Sequence, residues 1–419
     1  MAETIMIFST IILGILFAFL VFISLVFLIS RFKLFDQKIY SDYEPNVSII
    51  IPTYNEENNI ANCLASILSL NYPRKKIEII VTDDGSKDRT AKIIQEYKNV
   101  KLLTQNHLGK SEALNNGIKK SSHEYILTVD ADVILDKDSL KEMLKPFQDP
   151  DVGATTGNST VKNNNTLIGI FQDIEYHYNN LIRNSFSSAF NSGIWFFGAF
   201  ACYRKSVLKK LGYFSKNSLT EDIDIDLKIK KLGYKTINAH KAWCETIVPI
   251  NLKELYGQRY RWWIGALQSL IKNNSLILKH KHYKNPSTLF LFFNQFWWSI
   301  YAFISIPLTA YQINYWFPQS GIADSVSYLF RWFTLSGPFY VLYKIPEGWL
   351  SIYNVFGVLS GLISAALIIS AVLIFKGKLS LKNIFAIFFY FPYTIVLNTF
   401  IILSIITSFF SKKRYFIDN

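Results

Sequence analysis

The chain has 419 residues, of which 50% are hydrophobic and 16% aromatic, and its formal net charge is +13 at pH 7. This composition is too apolar for an ordinary soluble protein that carries so much charge. The basic excess alone would fit nucleic-acid binding, but the basic residues largely flank long apolar segments, so we expect no nucleic-acid partner. The cysteines Cys63, Cys202 and Cys244 have no CxxC or CxxxC spacing, and we therefore expect neither a zinc site nor a disulfide framework.

Four segments of the chain lack charged side chains, and each exceeds the roughly 20 residues that cross a bilayer. They predict membrane spans near residues 5–29, 287–311, 352–375 and 385–409. The apolar run of the first span is longer than the roughly 7–15 residues of a signal-peptide core. We therefore interpret it as a retained anchor.

The basic residues beside the predicted spans indicate an orientation. Three clusters adjoin the first three spans: Arg31, Lys33 and Lys38; Lys279, Lys281 and Lys284; Lys376, Lys378 and Lys382. By the positive-inside rule these clusters are cytoplasmic, which predicts a multi-pass protein of the cell membrane with its polar region in the cytoplasm. A simple last span would place the basic residues 412–414 outside, so either that segment is not a simple span or residues 325–346 contain a partial one.

The polar region alternates short apolar runs with helical patterns. Strands are expected at 47–51, 77–81 and 125–129, and helices at 60–68, 88–97 and 109–119. This alternation predicts an α/β domain with a mostly parallel, Rossmann-like sheet and helices on both faces. Ligands of such sheets bind beyond the carboxyl ends of the strands.

Two further amphipathic segments precede the second span. Residues 167–181 and 255–270 show apolar side chains at helical spacing, with many Trp and Tyr residues. Either core packing or a position at the membrane interface would explain them. The sequence thus divides into an anchor (1–40), a polar α/β domain (41–250), an interface helix (251–285) and a C-terminal transmembrane region (286–419).

Acidic residues follow two of the predicted strands. Asp84 lies in an Asp-Asp-Gly-Ser sequence after the second strand, and Asp130 and Asp132 follow the strand at 125–129. Carboxylates at i and i+2 point the same way and can hold Mg²⁺ or Mn²⁺ on a diphosphate. Neither GxxxxGK[ST] nor GxGxxG is present, which excludes the phosphate loop and the dinucleotide fingerprint.

A second acidic run, SLTEDIDIDLKIKK, occupies residues 218–231. Thr220 suits a helix N-cap. Two acids are explained as helix-face residues with basic partners at i+4, namely Asp224 with Lys228 and Asp226 with Lys230. Asp222 has the like charge of Asp226 at i+4 instead, which predicts a raised pKa for Asp222. Glu221 is either a neighbour that orients Asp222 or a favourable acid of the first turn.

The order of these acids is informative. Asp84, the Asp130–Asp132 pair, Thr220-Glu221-Asp222 and Gln258-Arg-Tyr-Arg-Trp262 together resemble the D, DxD, TED, QxxRW signature of membrane-integrated family 2 glycosyltransferases. The stretches PTYNEE at 52–57 and GK with ALN and Gly at 109–117 resemble further segments of that family. The layout, with one span before and several after, is similar to that of bacterial poly-N-acetylglucosamine synthases and, less closely, of hyaluronan and cellulose synthases.

The resemblance implies a GT-A fold and a set of site residues. The donor nucleotide would be bound by Pro52, Tyr54, Glu56, Asp84, Lys110 and Asp130, with Asp84 accepting from uracil. Asp132, assisted by Asp130, would hold the divalent cation. Asp222 would be the catalytic base, with Glu221 beside it. Gln258, Arg261 and Trp262 share one helix face and would contact the acceptor sugar and the diphosphate. We interpret Arg259 and Trp263 as membrane-interface anchors and His107 and His177 as structural.

The implied function is inverting, processive transfer from a UDP-sugar, best matched by UDP-N-acetylglucosamine, to a growing glycan that crosses the bilayer. An accessory membrane subunit is a further candidate partner. The first alternative is a non-processive glycolipid glycosyltransferase. The second is a membrane channel or sensor with a nucleotide-binding domain, although the predicted spans lack the charged residues expected along an ion path.

Overall fold

The computed structural model describes residues 2–33, 43–278, 285–319 and 321–411. Several of the basic residues used for the topology prediction, Lys38, Lys279, Lys281, Lys284 and the cluster at 412–414, lie outside the described residues.

The chain alternates strands and helices up to residue 246 and is helical beyond it. The strands are β1 (Val47–Thr53), β2 (Ile77–Asp83), β3 (Lys101–Thr104), β4 (Tyr125–Val129), β5 (Ile134–Leu135), β6 (Val152–Val161), β7 (Phe200–Arg204) and β8 (Lys235–Thr246). The first nine helices are α1 (Ala2–Lys33), α2 (Ile60–Leu68), α3 (Thr90–Gln95), α4 (Lys110–Lys120), α5 (Ser139–Leu144), α6 (Leu167–Phe190), α7 (Lys205–Lys210), α8 (Glu221–Lys231) and α9 (Leu252–Lys272). The remaining helices are α10 (Ser275–Leu278), α11 (Pro286–Tyr315), α12 (Ile322–Trp332), α13 (Ser336–Lys344), α14 (Ile352–Lys376), α15 (Leu381–Phe388) and α16 (Tyr390–Phe410).

The eight strands form one sheet in the order β3-β2-β1-β4-β7-β6-β8-β5. β1 pairs in parallel with β2 and β4, β2 with β3, and β6 with β8, whereas β7 is antiparallel to both of its neighbours and β5 to β8. The predicted α/β domain with a mostly parallel sheet is confirmed. The parallel register places Thr53 beside Asp83, so the strand ends that carry acids lie at the same edge of the sheet.

Helices cover both faces of the sheet because the side chains of β1, all buried, alternate between them. Ile49 and Ile51 pack in a cluster with Leu64 of α2. Ile50, between them, packs with Leu114 and Ile118 of α4 on the other face. This packing fixes the helices that follow the acidic strand ends. The three cysteines are free and buried.

Among the described residues, four helices are long and apolar enough to cross a membrane: Glu3–Phe32, Pro286–Tyr315, Ile352–Lys376 and Tyr390–Phe410. These agree with the four predicted spans, except that the last helix begins at Tyr390, because a separate short helix, α15, precedes it.

The region between the second and third of these helices forms a helical hairpin, α12 and α13. The two helices have 11 and 9 residues, so neither is long enough to cross a bilayer. At the turn between them, the Leu335 amide donates to the Phe388 carbonyl at 3.0 Å. Pro338 contacts Gly361, nine residues into α14, which at 1.5 Å per residue is about 14 Å from its start. The hairpin therefore enters the layer of long helices and returns, in agreement with a partial span in this region.

The two amphipathic segments lie between the sheet and the long helices. Phe171 and Ile174 of α6 form one cluster with Leu255 of α9 and with Ala365 and Ile368 of α14. The apolar faces of α6 and α9 are thus covered by protein, so core packing accounts for much of the pattern that suggested the membrane interface.

Candidate active site

Asp84 lies directly beyond β2, where its carboxylate is surrounded by donors of the loop at residues 105–109. It accepts hydrogen bonds from Gln105 Nε2 at 2.7 Å, the Leu108 amide at 2.9 Å and the Gly109 amide at 2.8 Å. His107 Nδ1 is 2.8 Å from its Oδ2 atom. Asp84 therefore organises this loop, and its contact with a nucleobase stays a prediction.

His107 and Tyr54 form a stacked pair of rings beside Asp84. Their centroids are 4.1 Å apart with an interplanar angle of 26°, and the His107 side chain is 59% exposed. His107, which the sequence analysis interpreted as structural, thus contacts two of the residues expected to bind the nucleotide. The pair provides an accessible aromatic surface at the rim of the predicted base site.

Lys110, the first residue of α4, joins the Asp-x-Asp motif to the Thr-Glu-Asp motif. Its Nζ atom is 2.8 Å from Asp130 Oδ1 and 2.8 Å from Glu221 Oε1. Burial favours the protonated form of Glu221, but the charge and hydrogen bond of Lys110 lower the pKa of this carboxyl. Glu221 thus has a specific ion-pair partner, which its position in the first turn of α8 did not reveal.

Asp132 has the charge environment of a cation ligand. Burial first, and then the charges of Asp130 and Glu56, raise the pKa of its carboxyl to about 7, so a cation beside it would relieve repulsion among these acids. Among the described residues, no group of three or more His, Cys, Asp or Glu side chains is arranged so that it could hold a metal ion. The pair fits an ion such as Mg²⁺ that takes one or two carboxylates and completes its shell with phosphate and water.

Asp222, in the first turn of α8, is held by backbone donors. The Gly198 amide donates to its Oδ2 atom at 3.0 Å and the Ile223 amide to its Oδ1 atom at 2.9 Å. A Cβ atom at Gly198 would lie 2.3 Å from the Asp222 Cβ atom, so only glycine permits this approach.

The pKa of Asp222 is raised to about 7, by burial first and then by the charge of Glu221, while Lys110 lowers it. The raised pKa agrees with the prediction, but the predicted cause was wrong, since Asp226 is paired with Lys230 at 2.8 Å. A carboxyl with a pKa near neutrality suits a general base.

The other acids of α8 are structural. Asp224 pairs with Lys228 at 2.7 Å, and Asp226 pairs with Lys230, as predicted. They differ from the prediction in burial, because both carboxylates are almost fully buried instead of lying on a solvated face. Thr220 occupies the N-cap position of α8, as predicted, but its side chain makes no capping hydrogen bond. A Cβ atom at Gly265 of α9 would lie 2.5 Å from Thr220 Cγ2, which shows how closely α9 approaches this motif.

α9 presents the predicted face to a large cavity. Gln258, Arg261 and Trp262 all line it, together with Asp132 and Asp222. Asn251 caps the helix, its side chain accepting from the Glu254 amide at 3.0 Å. The sequence prediction that these three residues share one face is confirmed.

Arg259 is held inside the protein by two other helices. Its guanidinium donates to both carboxylate oxygens of Glu175 on α6, at 2.6 and 3.0 Å. Tyr393 of α16 donates to the same carboxylate at 2.6 Å, and the guanidinium lies 4.6 Å from the Trp262 ring centroid. The interpretation of Arg259 as an interface anchor was wrong. Trp263 is half-buried and its Nε1 atom donates to Ser299 of α11 at 3.1 Å, so its interpretation as an interface anchor stays a prediction.

Replacing Arg259 by methionine is expected to lower the free energy of unfolding by about 3–5 kcal/mol, because the nearly buried Glu175 carboxylate loses its cation. Thermal unfolding of the purified protein measures the effect. Lys253→Met, a change of the same type at an exposed position of α9, should be neutral. Equal destabilisation by the two variants would contradict the importance of the ion pair.

The cavity connects the site with the long helices. Its volume is about 1630 Å³. It is lined at one end by Lys110, Asp132 and Asp222, and further along by polar residues of α11 and α16 such as Gln295 and Asn398. Pro52, Tyr54, Glu56 and Asp84 are not among its lining residues, so the predicted site residues form two groups, one along β1 and β2 and one at the cavity.

Several residues of the site were not found from the sequence. Gly198 supports Asp222, Gly265 allows α9 to approach α8, and Glu175 with Tyr393 fixes Arg259. None of these four residues belongs to a sequence motif with a characteristic spacing. The only signal was Glu175 itself, an acid on the amphipathic helix α6, since a buried carboxylate requires a partner.

Part of the chain is similar to known proteins. Residues 48–212 match the family described as Glycosyl transferase family 2. The chain is 36% identical over 245 residues to a poly-beta-1,6-N-acetyl-D-glucosamine synthase from Staphylococcus epidermidis, which covers 56% of this chain and 58% of the relative. It is 34% identical over 245 residues to the enzyme of the same name from Staphylococcus aureus (strain MSSA476), and that alignment covers 57% of this chain and 58% of the relative. The chain thus spans a little more than half the length of these curated relatives.

A solved structure shares the fold across nearly the whole chain. It is the mannosyltransferase PcManGT from Pyrobaculum calidifontis in complex with GDP-Man and Mn²⁺, with a TM-score of 0.56 and 19% identity. The alignment covers 97% of this chain and 100% of the other. It confirms the GT-A fold with its additional helices.

Proposed function

We propose that this protein transfers N-acetylglucosamine from UDP-N-acetylglucosamine to the non-reducing end of a growing glycan. The match of residues 48–212 to glycosyl transferase family 2 supports the type of reaction. The two relatives named above carry β-1,6-linked N-acetylglucosamine in their names, which supports this sugar and linkage. A non-processive transfer to a lipid is the alternative that the product analysis below separates.

The observation that carries the proposal is the cavity. It is continuous from Asp132 and Asp222 past Trp262 to the space between α11, α14 and α16. A glycan extended at Asp222 could therefore pass between the long helices without leaving the protein. This arrangement supports repeated transfer coupled to membrane translocation.

Asp222 is the base in this proposal. An acceptor hydroxyl oxygen attacks the anomeric carbon, its proton passes to the Asp222 carboxylate, and the bond from the anomeric carbon to the diphosphate breaks, so that UDP leaves and the configuration inverts. The amides of Gly198 and Ile223 keep the carboxylate oriented. General-base assistance of this kind typically contributes about 10²–10⁴ in rate.

The remaining cavity residues bind the two substrates. Arg261 is exposed to the cavity and can donate charge-assisted hydrogen bonds to the departing diphosphate. Trp262, steadied by the Arg259 guanidinium, offers its ring face to the acceptor sugar. Tyr54, Glu56 and Asp84 would bind the uridine.

A divalent cation, Mg²⁺ or Mn²⁺, would be held by Asp132 with Asp130 and would neutralise the diphosphate of the donor. Lys110 forms an ion pair with Asp130. A cation bound to Asp130 would replace Lys110 there, and the lysine would then turn towards the diphosphate.

We further propose that the catalytic domain is cytoplasmic, where UDP-sugars are available, and that the protein is a multi-pass protein of the cell membrane. The cluster of Lys376, Lys378 and Lys382 at the catalytic end of α14 supports this orientation by the positive-inside rule. An accessory membrane subunit stays a prediction from the resemblance.

The rate of transfer is expected to fall below about pH 7. The pKa of Asp222 is raised to about 7, and the base must be deprotonated, so the loss approaches about tenfold per pH unit on the acid side. The kcat at saturating donor and cation, measured from pH 5.5 to 8.5, checks this. A flat profile down to about pH 5 would contradict a base with a raised pKa.

UDP release from the purified protein in lipid tests the proposed activity. A panel of UDP-sugars with Mg²⁺ or Mn²⁺ should give the highest rate with UDP-N-acetylglucosamine. A higher rate with another UDP-sugar would overturn the donor, and no release with any of them would favour the channel or sensor reading.

A further inference from the structure

We propose that the end of the cavity far from the catalytic acids holds a glycan-binding subsite made of four aromatic rings, Trp316, Tyr328, Trp332 and Tyr353. We name these residues the exit cluster. The proposal rests on the proposed function and states where the polymer contacts the protein as it leaves the long helices.

The exit cluster lies at the end of the long helices opposite to the catalytic acids. α11 starts beside the catalytic domain, where Ser287 Oγ donates to the Ser192 carbonyl at 2.8 Å. α14 ends beside it, where Lys376 Nζ is 2.5 Å from Asp173 Oδ2. The hairpin α12–α13 joins the far end of α11 to the far start of α14. Trp316 and Tyr353 belong to those far ends, and Tyr328 and Trp332 to the hairpin.

The four rings line the cavity and contact one another. The centroids of Trp316 and Trp332 are 6.4 Å apart with an interplanar angle of 25°, and those of Trp316 and Tyr353 are 5.8 Å apart. Tyr328 is 6.3 Å from Trp332, and its hydroxyl donates to the Ile313 carbonyl at 3.0 Å. All four residues line the cavity. Fixed rings around an opening provide flat apolar surfaces for sugar faces.

The distribution of residues around α12 argues against a simple aromatic belt. Belt residues face lipid at the membrane boundary. On α12 the outward stripe consists of Ile322, Val326 and Phe330, which are 84%, 61% and 49% exposed and include neither Trp nor Tyr. The opposite stripe, at i, i+4 and i+8, consists of Asp324, Tyr328 and Trp332, and all three line the cavity. The helix therefore turns Tyr328 and Trp332, its two amphipathic aromatic residues, towards the cavity and the proposed path of the product.

Polar groups accompany the rings, as recognition of a hydroxyl-rich sugar requires. Gln312, Asn354 and Asp324 line the same part of the cavity. Gln312 and Asn354 offer amide donors and acceptors, and Asp324 offers a carboxylate acceptor. These groups favour a polyhydroxylated chain over an acyl chain, because an acyl chain has no donors or acceptors with which to form hydrogen bonds to them.

Binding of a β-1,6-linked N-acetylglucosamine pentasaccharide to the full chain in lipid nanodiscs tests the proposal. The measurement uses a Trp262→Ala background, so that the acceptor site contributes little. Adding Trp332→Ala should weaken binding by about tenfold, the typical effect of one well-placed ring, whereas Trp332→Phe should retain most of the affinity. Unchanged affinity with Trp332→Ala would overturn the subsite.

Phe339→Ala is the matched control, because Phe339 lies on α13 of the same hairpin, is 56% exposed and does not line the cavity. It should leave binding and polymer length unchanged. An equal loss of binding with Phe339→Ala would indicate a general disturbance of the hairpin and would overturn the proposal.

Polymer synthesis with Trp262 intact separates this proposal from the proposed function. Wild-type protein that makes no polymer would refute the proposed function. Polymer made by the wild type, together with an unchanged length distribution in Trp332→Ala, would refute only the exit subsite. A shifted length distribution in Trp332→Ala and not in Phe339→Ala supports it.

Discussion

Asp222→Asn is expected to lower kcat for sugar transfer by about 10³-fold, within the range of lost general-base catalysis, while UDP affinity stays unchanged. The amide keeps the size of the carboxylate, so the close contact with Gly198 is preserved, but it cannot take up the proton of the acceptor. The two effects separate because the residues expected to bind uridine, Tyr54 and Asp84, do not line the cavity at Asp222.

Single-turnover transfer and calorimetric titration with UDP measure the two quantities. Asp151→Asn is a suitable control, because it makes the same chemical change at a side chain that is 69% exposed and paired with Lys235. A variant at Asp222 that turns over at more than about a tenth of the wild-type rate would remove this residue from the role of base.

Lys110→Met is expected to lower kcat/KM by about 10–100-fold, which corresponds to the loss of one or two charge-assisted hydrogen bonds. It is also expected to move the acid side of the pH–rate profile to higher pH. The reason is that Lys110 lowers the pKa of Asp222 and the pKa of Glu221. Without the Lys110 ammonium group, the pKa values of both carboxyls rise, so Asp222 is deprotonated and able to act as a base only at higher pH.

Lys110→Arg provides the matched comparison, since it retains the positive charge beside Asp130 and Glu221 but changes its geometry. The arginine variant should keep the wild-type position of the acid limb even where its rate is lower. An unshifted pH profile in Lys110→Met would show that this lysine does not control the protonation of Asp222.

The parts of the fold that depend on local patterns were predictable. The run at 47–51 is buried on both faces of a parallel sheet, and such strands read as continuous apolar stretches. Asp84, Asp130 and Asp132 follow such strands directly, so their location at the sheet edge followed from strand direction alone. β3 was not predicted, because Lys101–Thr104 is a short edge strand with half-exposed side chains.

The residues that complete the site depend on contacts distant in the sequence. Glu175 and Tyr393 meet at Arg259 although 218 residues separate them, and no spacing rule connects them. Asp224 and Asp226 pair with lysines at the predicted i+4 spacing, yet their burial results from the packing of α9 and of the loop before β7 over α8. The cause of the raised pKa of Asp222 was likewise tertiary, since it depends on burial and on Glu221 held by Lys110.

The same limit applies to the hairpin. The helices at 322–332 and 336–344 are too short to span a bilayer. The sequence predicted only that residues 325–346 contain a partial span or that the last segment is not a simple one. The turn of the hairpin is fixed by a hydrogen bond to Phe388, a residue that belongs to the last pair of helices. Only the assembled long helices determine how deep the hairpin enters.

The size of the product tests the central claim most directly. Purified wild-type protein in lipid, incubated with UDP-N-acetylglucosamine and Mg²⁺ or Mn²⁺, should yield a ladder or a high-mass polymer of N-acetylglucosamine, which is absent with Asp222→Asn. A product that carries a single sugar on a lipid, with no longer chains at any reaction time, would contradict processive synthesis through the cavity.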